Sequence, residues 1–288
     1  MRSKLFVPGS RPELFAKALA GAADSISFDV EDSVPEDSKA HARRQVADFL
    51  RSGAAGLTRK VIIVRINALG SAHFEGDLMA FACPQVALLN LPKAQSAADV
   101  RQAVAALESV ERRNGVARPI GLLVNIETAR ALRLAPEIAA AHPRVAGLQL
   151  GLADLFESMQ ADRRDPANVH AAMFRMSMAC AESGKFAYDS AYPDVGDEAG
   201  FRREAEQARR LGYVGKSCVH PQQVALANEV FGAATLDLDT ARRIVAASKD
   251  AAESGRGAFL LDGRMIDLPF VKRALAVLAD ADESSDRP

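Results

Sequence analysis

Two carboxylates stand at the ends of neighbouring apolar runs, Glu127 after the fifth run of the chain and Asp154 after the sixth. With no His or Cys beside them, they form a hard, all-oxygen ligand pair, which favours Mg²⁺ or Mn²⁺ over Zn²⁺. The alternative is that each carboxylate caps the helix that follows, since negative charge is favoured at helix N-termini. The residues by themselves leave both interpretations open.

Three basic side chains stand at comparable positions in other runs. Arg65 could bind a substrate carboxylate or stabilise an oxyanion, or it could form a structural ion pair with Asp29 or Glu31. Lys93 and Lys216 could each form a Schiff base. The sixth run, V-A-G-L-Q-L-G, carries no lysine for that chemistry. We therefore expect Lys93 to make an electrostatic or phosphate contact instead.

The second run ends in an acidic sequence, F-D-V-E-D. In a strand, Asp29 and Glu31 point to one side and Asp32 to the other. His220 lies directly before Pro221 and could be a base, but we favour a cap on the helix that follows. The residues expected to support the site from behind are Asp29, Glu31, Asp32, Lys216 and His220.

Eight short apolar runs position these side chains. Several are apolar at nearly every position, for example V-I-I-V at 61–64, which indicates strands buried on both faces of a parallel sheet. Segments of helical period lie between them, such as Val100, Val104, Leu107 and Val110. The predicted strands span residues 5–8, 25–30, 61–66, 86–91, 120–126, 145–150, 186–192 and 213–219.

Eightfold alternation of strand and helix predicts an α/β fold, a (β/α)₈ TIM barrel over residues 1–232. A doubly wound open sheet is the competing fold, but it needs a glycine-rich phosphate loop after an early strand. The sequence V-P-G-S-R at 7–11 is too short for that loop. In a barrel enzyme the active site lies at the carboxyl ends of the strands, where the residues above are expected.

Residues 233–288 are more than one closing helix needs. We predict a helix at 239–253, a hairpin around Asp262-Gly263, a helix at 269–279 and a disordered polar tail at 281–288. This lid segment is too small for a core of its own. It must therefore pack on the barrel or on another subunit.

Composition and charge exclude several classes of partner. The 288-residue chain carries 36 Lys and Arg against 37 Asp and Glu, so no positive field attracts nucleic acid. No apolar stretch approaches the roughly 20 residues that span a bilayer, and we expect no membrane association. Three distant cysteines without a C-x-x-C pattern, and no signal peptide, predict a cytoplasmic location.

A series of motifs runs through nearly the whole chain in one order. They are R-S-K-L-F-V-P-G-S-R-P from residue 2, F-D-V-E-D-S-V from 28, V-R-I-N from 64, L-P-K from 91, I-E-T-A from 126, L-G-L-A-D-L from 150, G-K-S-C-V-H-P from 215 and G-R-x-I-D from 263. With these motifs the chain resembles the citrate lyase β-subunit-like group of the HpcH/HpaI aldolase superfamily. That superfamily also contains malyl-CoA and citramalyl-CoA lyases.

The resemblance implies roles for the residues at the strand ends. Glu127 and Asp154 would bind Mg²⁺, and Arg65 would contact the α-keto carbonyl or the developing enolate. The segment that would hold a substrate carboxylate through backbone amides is Gly151, Leu152 and Ala153.

The resemblance also implies contacts outside the metal site. Arg11, in the V-P-G-S-R loop, and Lys93 would lie near the CoA pyrophosphate. Family members are typically trimers, so a homotrimer or a dimer of trimers is expected. In the CoA-lyase branch the C-terminal segment crosses to a neighbouring subunit and delivers an Asp, here Asp267.

The predicted function is a Mg²⁺-dependent carbon–carbon lyase. It would cleave malyl-CoA or citramalyl-CoA to acetyl-CoA and an α-keto acid, glyoxylate or pyruvate, by a retro-Claisen reaction. The alternatives are a citrate lyase β subunit, a malyl-CoA thioesterase and a catalytically idle barrel. Ala153 stands where citrate lyase-like members often have an acidic residue, which favours the malyl type.

Overall fold

The computed structural model describes residues 1–232 and 234–285 of the chain. Its residues form two compact units, Met1–Phe231 and Gly232–Pro288. None of the described helices is long and apolar enough to cross a membrane.

The first unit contains eight parallel strands, β1 (Ser3–Pro8), β2 (Ser25–Asp29), β3 (Val61–Arg65), β4 (Leu88–Leu91), β5 (Gly121–Ile126), β6 (Val145–Leu150), β7 (Phe186–Tyr188) and β8 (Lys216–Cys218). They pair in the order β7-β6-β5-β4-β3-β2-β1-β8. A parallel bridge between Asp189 and Lys216 joins the two ends of this sheet. The sheet is therefore nearly closed, and the predicted (β/α)₈ TIM-barrel fold is confirmed.

Helices alternate with these strands. They are α1 (Phe15–Ala20), α2 (Lys39–Arg51), α3 (Phe74–Phe81), α4 (Ala97–Asn114), α5 (Ala129–Arg133), α6 (Ala135–Ala139), α7 (Leu152–Met159), α8 (Pro166–Glu182), α9 (Glu198–Arg210) and α10 (Pro221–Gly232). The helix predicted from Val100, Val104 and Leu107 is α4, and these three side chains are buried. α5 and α6 are separate because Pro136 interrupts the helical hydrogen bonds.

The apolar runs are strands buried on both faces, as their composition predicted. All five residues of β2 are buried, and so are five of the six in β5. The last two runs differ from their predicted bounds. The seventh is a strand only over Phe186–Tyr188, followed by the single bridge of Asp189 to Lys216. The eighth is a strand only over its last part, Lys216–Cys218.

The second unit contains α11 (Ala234–Glu253), β9 (Phe259–Leu261), β10 (Arg264–Ile266) and α12 (Leu268–Ser285). β9 and β10 form the predicted antiparallel hairpin, with Asp262 and Gly263 at φ 50° and 77° in its turn. The prediction that this segment has no core of its own is wrong on a small scale, since Ala241, Ile244 and Ile266 pack in one buried cluster. The predicted disordered tail is wrong as far as residue 285, because α12 continues to there; residues 286–288 lie outside the described chain.

Candidate active site

A cavity of about 360 Å³ opens where the barrel strands end. Its walls come from β1, β2, β3, β5 and β6 and from the segments that follow β2, β5, β6, β7 and β8. The lining residues are Phe6, Pro8, Asp29, Ser33, Arg65, Asn125, Glu127, Gln149, Leu150, Gly151, Leu152, Ala153, Asp154, Ser190, Ala191 and Val219. Both carboxylates and the arginine singled out in the sequence therefore share one site.

Glu127 follows β5 and is held by neutral donors. Its Oε2 accepts from Asn125 Nδ2 at 3.2 Å, and its Oε1 accepts from the backbone amide of Lys93. Lys93 can present that amide because it adopts a left-handed backbone, with φ 56°. Burial raises the pKa of Glu127, and the negative charge of Asp154 raises it further. The two carboxylates thus repel each other across the cavity.

Asp154 lies in the first turn of α7 and reaches no partner. Within the described chain its carboxylate forms neither a hydrogen bond nor an ion pair. Burial raises its pKa, and the charge of Asp32 adds to that effect. An unpaired carboxylate beside a second one is a favourable position for a cation.

The helix-capping alternative for these two carboxylates is wrong. The cap of α5 is Thr128, whose hydroxyl accepts from the amide of Ala131 at 3.1 Å. Gly151 stands at the start of α7, and no side chain caps that helix. Neither carboxylate is therefore used as a side-chain cap, and both face the cavity.

Among the described residues no group of three or more His, Cys, Asp or Glu side chains is arranged to hold a metal ion. Two carboxylate ligands nevertheless fit Mg²⁺, which commonly takes one or two carboxylates and completes its octahedron with substrate and water. The donor set of Glu127 and Asp154 is compatible with that ion.

Arg65 ends β3 and is paired with three carboxylates. Its Nε and Nη2 donate to the two oxygens of Asp29, at 2.8 and 2.7 Å. Its Nη1 lies 3.2 Å from Glu31 and 3.5 Å from Asp32. Burial opposes its charge, but Asp29 and the other carboxylates hold the pKa of Arg65 above its ordinary value. The structural ion pair named as an alternative therefore exists, although Arg65 also lines the cavity.

The acidic segment after β2 folds back on two cations. The Lys93 ammonium lies 2.6 Å from Glu31 and 3.0 Å from Asp32. The expectation that Asp32 points away from Asp29 and Glu31 is wrong, because β2 ends at Asp29. Beyond that point the Asp29 carboxylate accepts from the backbone amide of Glu31 and curls the chain. Burial raises the pKa of Glu31 to about 7.

Two residues that were expected to support the site, Lys216 and His220, lie outside the cavity lining. Lys216 is fully buried and bonds to Asp189 at 2.7 Å and to Glu204 at 2.6 Å. It is the first residue of β8, so it lies at the amino end of the strand and below the rim. His220 is exposed, and its Nδ1 accepts from the Gln222 amide at 3.3 Å, as a cap on α10 would.

Arg11 and Lys93 are cations near the cavity rather than in its lining. Arg11 is exposed on the loop after Pro8, where it pairs with Glu13. The Lys93 side chain is half-exposed, and its charge is already balanced by carboxylates.

Asp267 belongs to the second unit and follows β10. Its Oδ1 is buried with no hydrogen-bond partner in the described chain.

Two polar residues of the barrel interior were missed. Gln149 lines the cavity. Lys4 is fully buried, and its ammonium donates a hydrogen bond to Gln149. Both stand inside apolar runs, K-L-F-V and L-Q-L, where a polar residue in an otherwise apolar strand was the available signal.

The fold and this carboxylate-rich mouth define the class as a TIM-barrel enzyme with a candidate Mg²⁺ site at the carboxyl ends of its strands. Residues 2–221 match the family model "HpcH/HpaI aldolase/citrate lyase". The chain belongs to that family, as its motifs predicted, and a lyase-type enzyme is confirmed at the level of the family.

Similar proteins agree with this assignment. An L-malyl-CoA/beta-methylmalyl-CoA lyase of Cereibacter sphaeroides is 36% identical, over 98% of this chain and 94% of that protein. A (3S)-malyl-CoA thioesterase of the same organism is 35% identical over 98% and 94%. CitE from Mycobacterium tuberculosis, solved with magnesium, acetoacetate and coenzyme A, is 32% identical with a TM-score of 0.77, over 98% of this chain and 100% of that chain.

Proposed function

We propose that the chain is a Mg²⁺-dependent carbon–carbon lyase that cleaves malyl-CoA or citramalyl-CoA to acetyl-CoA and glyoxylate or pyruvate. The observation that carries this proposal is the pair Glu127 and Asp154, with Asp154 unpartnered within the described chain, in one cavity with Arg65. Mn²⁺ would serve in the same site, because it accepts the same oxygen ligands.

The chemistry divides between the metal and the chain. Glu127 and Asp154 would hold Mg²⁺, which when bound supplies Lewis acidity at the substrate hydroxyl and carboxylate. The first amides of α7, at Leu152 and Ala153, would receive the carboxylate, since helix N-termini favour anions.

Cleavage breaks one carbon–carbon bond and needs two proton transfers, one from the substrate hydroxyl and one to the enolate carbon. Asp267 would take the proton of the substrate hydroxyl as the carbonyl forms there. The carbon–carbon bond then breaks, and its electron pair leaves on the acetyl-CoA enolate, which is protonated to acetyl-CoA. Arg65 would offset the negative charge as the enolate develops.

For the CoA pyrophosphate we assign Arg11 ahead of Lys93. The Arg11 side chain is 58% exposed, and its surface ion pair with Glu13 is weak enough to exchange. The Lys93 ammonium is held by Glu31 and Asp32, so it has less charge to offer.

We also propose that residues 233–288 form a lid that docks on a neighbouring barrel in a homotrimer or a dimer of trimers. Large apolar side chains at Leu260, Met265 and Leu268 are exposed in this unit, which supports burial against a partner. Three free thiols, Cys83, Cys180 and Cys218, support a reducing cytoplasm.

A thioesterase is the second candidate, favoured by the similar (3S)-malyl-CoA thioesterase. A mass-spectrometric product assay with malyl-CoA, citramalyl-CoA and citryl-CoA separates the candidates. We expect acetyl-CoA and an α-keto acid in equal amounts from one of the first two. Free CoA with malate or citramalate and no keto acid would establish the thioesterase instead. Turnover of citryl-CoA alone would indicate a citrate lyase β subunit.

A further inference from the structure

A lysine is enclosed in the barrel, where its ammonium has one polar partner among the described residues. Lys4 lies on β1, two residues before Phe6, and is fully buried. Its ammonium donates to Oε1 of Gln149 and lies 4.3 Å from the centre of the Phe6 ring and 5.6 Å from that of Tyr188. Within the described chain it forms no ion pair with a carboxylate. Burial, together with the positive charge of Arg65, lowers the pKa of Lys4 well below its ordinary value.

This contact sets the orientation of the Gln149 amide. A lysine ammonium only donates hydrogen bonds, so the oxygen of the amide must face Lys4. The nitrogen is left for the cavity, which Gln149 lines although it is only 4% exposed. Nε2 has no hydrogen-bond partner among the described residues. It is also not among their fully buried side-chain atoms that lack a partner, so it is open to the cavity. Gln149 therefore offers a free N–H donor to the cavity.

The donor lies deeper than the carboxylates. Gln149 pairs in register with Asn125 across β5 and β6, and Glu127 stands two residues further along β5. Two residues of strand rise about 6.6 Å. The cavity of about 360 Å³ suits an acyl group rather than CoA itself. The part of the ligand that meets Gln149 is thus the end furthest from the CoA.

We propose that Gln149 is a substrate-binding residue whose Nε2 donates to an oxygen of the α-keto acid portion of the substrate, and that Lys4 is its positioning residue. The inference rests on the proposed lyase function in that it takes an α-keto acid as the ligand. The Asn125 amide, in register with Gln149, already donates to Glu127, whereas the Gln149 nitrogen has no such bond among the described residues.

Binding of oxalate, a planar mimic of an α-keto acid, tests the role of Gln149. Isothermal titration in the presence of Mg²⁺ compares wild type with Gln149→Met and with Gln102→Met, a control on the exposed face of α4. We expect Gln149→Met to weaken oxalate about 10-fold or more, since a hydrogen bond to a charged acceptor is lost. Gln102→Met should bind as wild type. Gln149→Glu gives Lys4 a charged partner but repels the ligand, so it should fold and bind oxalate more weakly still.

The role of Lys4 is tested by coupling. Lys4→Met removes a buried charge at similar length, and thermal unfolding should show the fold retained. If Lys4 acts through Gln149, the double variant Lys4→Met, Gln149→Met should bind oxalate no more weakly than Gln149→Met alone. In the reverse reaction, condensation of acetyl-CoA with the α-keto acid, both Gln149→Met and Lys4→Met should raise KM for the keto acid more than they lower kcat. Additive losses in the double variant would overturn the positioning role.

The two proposals fail separately. Oxalate affinity at the wild-type level in both Gln149→Met and Gln149→Glu overturns the inference, whatever the enzyme cleaves. Oxalate binding that depends on Gln149 in a protein without lyase activity overturns the proposed function and leaves the binding role of Gln149 in place. Absence of oxalate binding by the wild type overturns the inference as well.

Discussion

Arg65 uses each nitrogen of its guanidinium on a carboxylate. Two parallel bonds to Asp29 fix its plane, and the third nitrogen faces Glu31 and Asp32. The ion pair with Asp29 orients the guanidinium. Arg65 also lines the cavity, so its guanidinium can contact a ligand there. An arginine held in this way can stabilise developing charge without reorganising.

Arg65→Lys tests whether the arginine acts on the reaction. An ammonium cannot reproduce the planar, two-bond contact with Asp29, so we expect kcat to fall by about 100-fold, as for loss of an oxyanion donor. Steady-state kinetics with the CoA thioester measures kcat and KM separately. A change in KM with kcat nearly intact would make Arg65 a structural ion-pair residue only.

Residues at strand ends could be predicted because the barrel brings those ends to one mouth. Glu127, Asp154 and Arg65 were found in this way. Lys216 was assigned to the same rim because the predicted eighth strand, residues 213–219, placed it near the carboxyl end. In the structure β8 begins at Lys216, so this residue lies at the amino end of the strand, low in the barrel. Gln149 and Lys4 were missed because a hydrophobic pattern assigns such positions to the core, and their contact joins strands far apart in sequence.

At the scale of elements, the turn between β6 and α7 sets the geometry of the proposed metal ligands. A Cβ on Gly151 would lie 2.7 Å from Cβ and 3.0 Å from Oε2 of Glu127. Glycine is therefore required here for the close approach of backbone to ligand. In the sequence G-L-A-D at residues 151–154, Gly151 thus makes room for Glu127, and Asp154 lies in the same cavity.

Gly151→Ala should displace the Glu127 carboxylate while the barrel stays folded. A shift of about 1 Å at a reacting group can cost about 100-fold in rate. We expect the variant to bind Mg²⁺ at least tenfold more weakly, so that activation needs a correspondingly higher Mg²⁺ concentration. Metal titration of activity, together with thermal unfolding, measures both effects. Gly196→Ala is the matched control, since its Cβ would meet Asp194 at an ordinary 3.5 Å. Equal behaviour of the two variants would contradict the crowding argument.

The closure of the barrel between β7 and β8 depends on a buried charge cluster. Lys216 bonds to both Asp189 and Glu204, and all three are buried. Burial already raises the pKa of Asp189 to about 6. The Lys216 ammonium therefore favours the ionised form of both carboxylates, and Arg163 adds a second ion pair to Glu204.

Lys216→Met should destabilise the protein by about 3 kcal/mol or more near pH 8, because it leaves the buried Asp189 carboxylate without its cation, while Glu204 keeps only Arg163. Without the ammonium, the folded-state pKa of Asp189, which already lies above its unfolded value, rises further. The folded chain then binds more protons than the unfolded chain, so stability falls as pH rises from about 5 to 8. Urea unfolding at both pH values tests this, with surface Lys17→Met as control. A loss of stability that is the same at both pH values would contradict it.

At the scale of the whole molecule, the chain has two compact units, and Asp267 belongs to the second. Its buried, unpartnered Oδ1 is a feature that the fold of that unit alone does not use. The proposed use is as the base at the site of a neighbouring barrel. Sequence patterns predicted the helices and hairpin of this unit, but which barrel it serves depends on assembly, which no local pattern encodes.

Mixing two inactive variants tests that assembly. Glu127→Ala and Asp267→Ala should each be inactive alone, for loss of a metal ligand and of the base. Co-expressed in equal amounts, they should regain activity at roughly a quarter of the sites, where an intact barrel meets an intact Asp267 from another subunit. Mixed oligomers that stay inactive would place the lid over its own barrel. Full activity of Asp267→Ala alone would remove it from the mechanism.

The central claim is that Glu127 and Asp154 hold the metal that makes carbon–carbon cleavage possible. The most direct measurement is α-keto acid release from the preferred thioester by wild type, Glu127→Gln and Asp154→Asn, with Mg²⁺ and with EDTA. The amide variants keep the shape of each ligand and remove its charge. The account predicts that EDTA abolishes release by the wild type, that added Mg²⁺ or Mn²⁺ restores it, and that neither variant is restored. Undiminished keto acid release in EDTA, or by either variant, would contradict it.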